Sequence, residues 1–284
     1  MTRRWLVTGC SSGLGRALAA EAARAGDEVV ATARKPASLE ELVRAWPDRI
    51  TPVALDVRDE AQCEEAVRIA ADRLGGIDVL VNNAGNGIVG AVEEVSDNEL
   101  RDQLETLVVG PWRLARLVLP VMRAQGAGHI VNVSSLAGRM AFPGLSAYVT
   151  GKYALEGMSQ ALAAEAGPFG IRVTVLEPGG YATHYGTSAT EAAGRLPVYD
   201  EAVDQMLGSL RAMEQTPGLG RAEDFAETVV RIVGTAEPTP LRVPIGPGAY
   251  EFLEPGHVAA GEELAAAKEL IGTPEAWPTP AAEK

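Results

Sequence analysis

The chain has 284 residues, 46% of them hydrophobic and 22% charged, which suits one globular domain with a sizeable core. Its formal charge of −13 opposes binding to a phosphate backbone, and no basic cluster overrides it, so nucleic acid is not an expected partner. No run of eighteen apolar residues could span a bilayer, and the polar stretch Thr8–Gly13 cuts off any signal-peptide core after Met1–Val7, so neither a membrane partner nor export is expected. Cys10 and Cys63 have neither metal-ligand spacing nor disulfide density, which fits a reducing, cytoplasmic location.

Trp5-Leu6-Val7-Thr8 is a short apolar run that stops at a glycine-rich turn, and alanine-rich helical sequence follows from Leu14 to Gly26. Val29–Ala33 and Pro52–Val57 read as the second and third strands, with a helix around Leu39–Ala45 between them. The helix Glu60–Leu74 leads to a fourth strand, Val79–Gly85. A long helix, Asn98–Ala124, precedes a fifth, His129–Ser135, and the helix Ala147–Ala166 precedes a sixth, Arg172–Glu177. After Thr183 the pattern loosens into Gly186–Pro197, then a helix through Asp204–Met213. A helix Ala222–Val233 and a strand Leu241–Ile245 complete the series, and a short helix, Glu262–Ile271, precedes a mobile Pro/Ala-rich stretch, Thr273–Lys284.

Strands alternating with helices at this spacing, several of them nearly all apolar, predict a single-domain α/β fold of the Rossmann type: a doubly wound parallel sheet with helices on both faces. The expected catalytic domain is 1–250, with 184–215 as a substrate loop or lid, and 251–284 is a C-terminal extension. In such sheets the ligand lies beyond the carboxyl ends of the strands. The unusual polar and glycine clusters all fall there: Gly9–Gly15, Arg34, Asp56, Asn82–Gly85, Ser134-Ser135 and Pro178–Thr183.

The turn Thr8-Gly9-Cys10-Ser11-Ser12-Gly13-Leu14-Gly15 joins the first strand to the first helix. Glycines there let the backbone approach a pyrophosphate, while the helix N-terminus supplies free N–H groups and a positive dipole. At the end of the second strand, an acidic residue would accept from a ribose 2′-hydroxyl. This chain has Arg34 and Lys35 after Ala33, which fits a 2′-phosphate better, the alternative being solvated loop cations.

Tyr148 and Lys152 are four residues apart and share one helical face, so a phenol and an ammonium flank one small volume. A nearby ammonium favours the phenolate and draws its pKa down from ~10 toward working pH, where proton transfer is most effective. His129, His184 and His257 have no metal-ligand spacing, so no metal is expected.

In this order, Thr8–Gly15, Asn82–Gly85, Ser135, Tyr148-x-x-x-Lys152 and Pro178-Gly179 resemble the short-chain dehydrogenase/reductase family over roughly Arg4 to Ile245. The resemblance implies that Tyr148 donates a proton to a carbonyl oxygen or removes one from an alcohol. Ser135, favoured over Ser134 by the family's spacing, hydrogen-bonds that oxygen, and Lys152 lowers the tyrosine pKa and holds the nicotinamide ribose. The implied cofactor set is Gly9, Ser11, Ser12, Gly13, Leu14, Gly15 and Arg34, with Asp56 and Val57 at adenine. Asn83, Ala84 and Gly85 line the cleft, and Pro178, Gly179 and Thr183 lie at its far end, Thr183 meeting the carboxamide; Tyr148 and Lys152 border it too. The implied activity is NADP(H)-dependent hydride transfer between a secondary alcohol and a ketone. Leu136, Met140, Phe142, Leu145 and the tyrosines near Thr183 point to a lipophilic, cyclic or polyketide-like substrate. The resemblance also implies a homo-oligomer, dimer or tetramer, pairing through the helices Asn98–Ala124 and Ala147–Ala166.

Two positions depart from the family. Leu107 stands where an asparagine usually holds a relay water, and Gly151 stands where serine or alanine is usual. Leu107 motivates a second reading, a dinucleotide-binding sensor or scaffold with little turnover.

Overall fold

The computed structural model describes residues 2–183, 185–213 and 216–271. In chain order the elements are β1 (Arg4–Val7), α1 (Gly13–Arg24), β2 (Glu28–Ala33), α2 (Glu40–Ala45), β3 (Ile50–Ala54), α3 (Glu60–Leu74), β4 (Val79–Asn82), β5 (Ile88–Val89), α4 (Asp97–Leu104) and α5 (Gly110–Gln125). They continue with β6 (Gly128–Val133), α6 (Ser146–Ala166), β7 (Ile171–Pro178), α7 (Tyr185–Ser188), β8 (Thr190–Glu191), α8 (Asp200–Ala212), α9 (Ala222–Gly234), β9 (Arg242–Ile245) and α10 (Ala249–Ile271). Seven strands form one parallel sheet in the order β3-β2-β1-β4-β6-β7-β9. The order reverses between β1 and β4, which places the ligand crevice at their carboxyl ends.

Successive strand residues point to opposite faces, and here both faces are covered. Trp5, Val7, Val29, Ala31, Val79 and Val81 enter one core with Leu18, Phe225 and Val229 of α1 and α9. Leu6, Val30, Leu80 and Ile130 enter the other with Val67, Leu114, Val118 and Leu162 of α3, α5 and α6. Burial on both sides is why these strands read as unbroken apolar runs rather than alternating ones. Beneath the site, the Asn82 side-chain amide donates to Asn132 Oδ1 at 2.8 Å, and Asn132 donates to Ser159 Oγ at 2.8 Å, tying β4, β6 and α6 together in the buried interior.

Several expected elements are corrected: the strands read as Val79–Gly85 and His129–Ser135 end at Asn82 and Val133. Strand β3 ends at Ala54, because its pairing partner β2 ends at Ala33; Asp56 and Val57 therefore lie in the following loop. The expected helix Asn98–Ala124 is two helices separated by a π-turn, Glu105–Val109, with Leu107 at its centre. The last helix is far longer than Glu262–Ile271: α10 runs through Pro255, on an exposed surface where the carbonyl deprived of an N–H partner can be hydrated. A small parallel sheet, β5 with β8, was not foreseen. The stretch Thr273–Lys284 and His184 lie outside the described residues.

The two sequence departures are one packing arrangement. A Cβ added at Gly151 would lie 2.8 Å from Leu107 Cδ1, and one at Gly85 would lie 3.0 Å from Leu107 Cδ2. The leucine fills the space that a side chain at 151 would take. Gly151→Ala alone is therefore expected to destabilise by about 1–3 kcal/mol through overpacking, although alanine is the better helix former. In a Leu107→Ala background the same change should stabilise. A denaturation double-mutant cycle reads the sign reversal, and additive effects would refute the contact.

Candidate active site

Thr8 and Asn83 join the two halves of the sheet at the crevice. The Thr8 hydroxyl accepts from the Asn83 and Ala84 amides at 2.9 and 3.0 Å, and Asn83 Nδ2 donates to the Thr8 and Gly9 carbonyls at 2.9 and 3.2 Å. Gly9 has φ +72°, and a Cβ there would come 2.9 Å from Ala84 Cα, so this turn requires glycine. A Cβ at Gly15 would overlap Asn83 Nδ2 and the Gly9 carbonyl. After Ser11 and Ser12 the turn feeds α1 at Gly13-Leu14-Gly15. No side chain caps that helix and no acidic residue sits in its first turn, so its leading N–H groups suit an anion. Thr183 lies within van der Waals reach of a Cβ built at Gly13, bringing the far end of the predicted set beside this turn. The Gly179 amide donates to the Ile245 carbonyl at 2.8 Å, fixing Pro178-Gly179 at the mouth of β7.

At the other end of the crevice, Arg34 is exposed just past β2. Arg58 clamps the Asp56 carboxylate through Nε at 3.0 Å and a terminal nitrogen at 2.7 Å. These bonds, with a weaker pull from Arg34, hold the Asp56 carboxyl below the usual carboxylate range. Arg58 was missed from sequence, although its position two residues after Asp56 was a readable signal. Val57 is buried, and its carbonyl accepts from Arg113 at 2.9 Å.

Lys152 is 5% exposed and its Nζ donates to the Val133 carbonyl at 2.8 Å, pinning α6 to the end of β6. Its ammonium lies 5.5 Å from the centre of the Tyr148 ring one turn back, so the pair does flank one volume. Ser135, two residues beyond Val133, is half-buried in extended backbone, and its Oγ accepts from the Ala137 amide at 3.1 Å. Ser134 is instead turned inward beside Gly138 and Glu156. The glycine cradle, the uncapped helix and the cations past β2 together fit a dinucleotide.

The apolar wall beside Tyr148 contains Val89, Leu107, Phe142 and Leu145, with Val203, Leu207 and Leu210 from α8. Helix α8 falls within the 184–215 stretch that the sequence marks as a substrate loop or lid. Leu136 and Met140 pack against Ala249 and Leu253 of α10 instead, in a separate cluster. Tyr181 is a core residue, not a pocket residue: its ring meets Phe225 edge-on at 5.5 Å, between Gly220 and Gly246. The segment before α8 is stitched to the one after β4 by the Ala193 amide donating to Glu99 and the Leu196 amide to Glu94, at 2.9 and 2.8 Å.

The sequence pattern of the short chain dehydrogenases matches residues 3–194. The chain belongs to the short-chain dehydrogenase family. It is 40% identical over 278 residues to the oxidoreductase BOA17 of Botryotinia fuckeliana, covering 98% of this chain and 97% of that one. A 3-ketodihydrosphingosine reductase from Bacteroides thetaiotaomicron is 34% identical over 245 residues, 85% of this chain and 87% of the relative. The crystal structure of a short-chain dehydrogenase from Streptomyces avermitilis superposes with a TM-score of 0.85 at 41% identity, covering 95% and 97% of the two chains. The chain is thus an oxidoreductase of this family, and no helix among its described residues is long and apolar enough to cross a membrane.

Burial pushes the Lys152 ammonium of this short-chain dehydrogenase down to about 8, against the pull of Glu156. The folded chain then binds that proton less tightly than the unfolded one, so stability rises with pH between about 8 and the ordinary lysine value of 10.5. Below pH 8 the folded state carries the whole penalty of a buried charge, on the order of 3 kcal/mol. The melting temperature of Lys152→Met minus that of the wild type is therefore expected to be highest near pH 7 and to fall as pH rises toward 10. Thermal melts across that range check it, and a constant difference would mean that the ammonium is not held against its pKa.

Proposed function

We propose that the protein is an NADP(H)-dependent reductase or dehydrogenase that interconverts a ketone and a secondary alcohol. The observation that carries this reading is the buried Lys152 ammonium, fixed by the Val133 carbonyl beneath the Tyr148 ring, at the strand end next to the glycine cradle. When bound, the nicotinamide supplies or accepts the hydride. The chain's own residues do the rest. Gly9, Ser11, Ser12, Gly13, Leu14 and Gly15 receive the pyrophosphate, and Asn83, Ala84 and Gly85 wall the cleft. Asp56 and Val57 border adenine, and Pro178, Gly179 and Thr183 close the nicotinamide end. Ser135 orients the substrate oxygen, Tyr148 gives that oxygen a proton or takes one from it, and Lys152 stabilises the phenolate and holds the ribose. Arg34, with Arg58 alongside, favours a 2′-phosphate over a free hydroxyl.

In this reading residues 1–250 are the catalytic unit, 184–215 are a substrate lid, and 251–284 are an extension. The apolar wall of Phe142, Leu145, Val203 and Leu207 supports a lipophilic substrate, in keeping with the name of the 3-ketodihydrosphingosine reductase. Trp112, Tyr153 and Phe169 are large, exposed side chains on or next to α5 and α6, and support pairing of two copies through those helices. Sedimentation should give a dimer or tetramer, and a monomer at micromolar concentration would refute that assembly.

Leu107 favours a second reading, a dinucleotide-binding sensor with weak turnover, because it places an apolar side chain at the π-turn beside Gly85 and Gly151. Screening NADPH consumption on a carbonyl panel separates the two: strong turnover eliminates the sensor, and tight NADPH binding without turnover supports it. On any substrate so found, Tyr148→Phe should lower kcat by roughly 10²-fold or more, and intact activity would sink the catalytic reading. Arg34→Ala should weaken NADPH roughly tenfold or more while leaving NADH nearly unchanged, and equal losses would refute the 2′-phosphate role.

A further inference from the structure

A second polar cluster lies one turn of α6 beyond Lys152. Tyr148, Lys152 and Glu156 follow one another at intervals of four on a single helical face. Glu156 is 4% exposed, Glu177 of β7 is fully buried, and Ser134, just past β6, is 3% exposed. Arg242 of β9 donates from Nε to Glu156 Oε2 at 2.8 Å and stands 3.9 Å from Glu177 Oε1, while its terminal nitrogen reaches Gln160 at 3.2 Å. Arg139 donates to Glu177 Oε1 at 2.9 Å, and its other terminal nitrogen meets His257 Nε2 of α10 at 2.9 Å.

One oxygen of each group has no hydrogen-bond partner among the described residues: Ser134 Oγ, Glu156 Oε1 and Glu177 Oε2. A buried oxygen without a partner is costly, so three in one neighbourhood call for a shared occupant. Two of them face the same glycine: a Cβ built at Gly138 would lie 2.5 Å from Ser134 Oγ and 3.2 Å from Glu156 Oε1. A buried water needs two to four polar partners, which this group supplies. Burial raises the Glu177 carboxyl against the pull of Arg139, so that oxygen pair lies closer to proton exchange than an ordinary carboxylate. On its other side, Lys152 neighbours Gly85 together with Leu107, whose side chain offers no hydrogen bond, and the Thr106 hydroxyl is committed to the Asp102 carbonyl at 3.1 Å.

We propose that Ser134, Glu156 and Glu177 hold internal water that serves as the proton path to Lys152, and through it to Tyr148, with Arg139, Arg242 and His257 at the outer mouth. The proposal rests on the reading of Tyr148 as the acid. In the reducing direction the Tyr148 O–H bond breaks and its proton goes to the substrate oxygen. The phenolate takes one proton from the Lys152 ammonium, the neutral amine takes one from the water, and the carboxylates pass one inward from solvent. Each turnover consumes one bulk proton, and no electron moves through these residues. Glu156 and Glu177 are positioning residues, since neither touches the substrate.

The test uses the cofactor-free protein and protons released by flash photolysis of o-nitrobenzaldehyde at alkaline pH. The decay of phenolate absorbance, after subtraction of the same trace from Tyr148→Phe, reports reprotonation of Tyr148. In Glu156→Gln and Glu177→Gln that decay should slow at least tenfold, and added imidazole should restore it. A merely structural role would not respond to imidazole. Circular dichroism identifies any variant that does not fold, and the remaining variants then carry the comparison, each altering a different wall. Wild-type decay rates in the folded variants overturn the path while leaving Tyr148 as the acid. Absence of any Tyr148-specific signal overturns both readings.

Discussion

The bond from the Lys152 ammonium to the Val133 carbonyl is the constraint on which the site depends. It fixes the first turns of α6 against the end of β6, and thereby brings Tyr148 to the same strand end that carries Ser135. It also takes a charge out of water, which the surrounding groups only partly offset. The interior supports this placement from below through Asn82, Asn132 and Ser159, which hold the same helix to the same strands by neutral hydrogen bonds. A neutral, hydrogen-bonded floor and an ionisable upper surface are thus built on one helix.

Much of this arrangement was legible in the sequence, because it arises from local rules. The helix Glu60–Leu74 could be bounded at both ends, for Asp59 caps its first turn and Gly75 adopts the left-handed conformation after its last. The glycine turn, Asn83 and the Tyr148/Lys152 pair fall at strand ends where the topology needs them. What stayed hidden depends on partners distant in sequence. Gly110-Pro111 marks a restart within residues 97–125, but the π-turn before it depends on Leu107 packing against Gly85 and Gly151. The withdrawal of Tyr181 into the core is equally a product of tertiary packing. The burial of Glu156 depends in the same way on β7 and β9, which bring Glu177 and Arg242 to it.

The acidic character of the chain takes on a different meaning at the site. Among the described residues most carboxylates are solvated, but the glutamates Glu94, Glu156 and Glu177 are buried, as is Asp27, each within reach of an arginine. Such pairs contribute little net stability when both partners are present and are costly when one is removed, so they define geometry more than they strengthen the fold. Glu94 does this for the segment leading into α8, and Glu156 and Glu177 for the region behind Lys152.

The contact between Leu107 and Gly151 also limits the routes by which this sequence can change. A larger residue at 151 is accepted only after position 107 has shrunk, whereas a smaller residue at 107 leaves a cavity that position 151 can then fill. Substitution therefore has a preferred order. Transplanting the usual residue from a relative into one of these positions alone would pass through a strained or hollow protein, so the two sites behave as a single inherited unit.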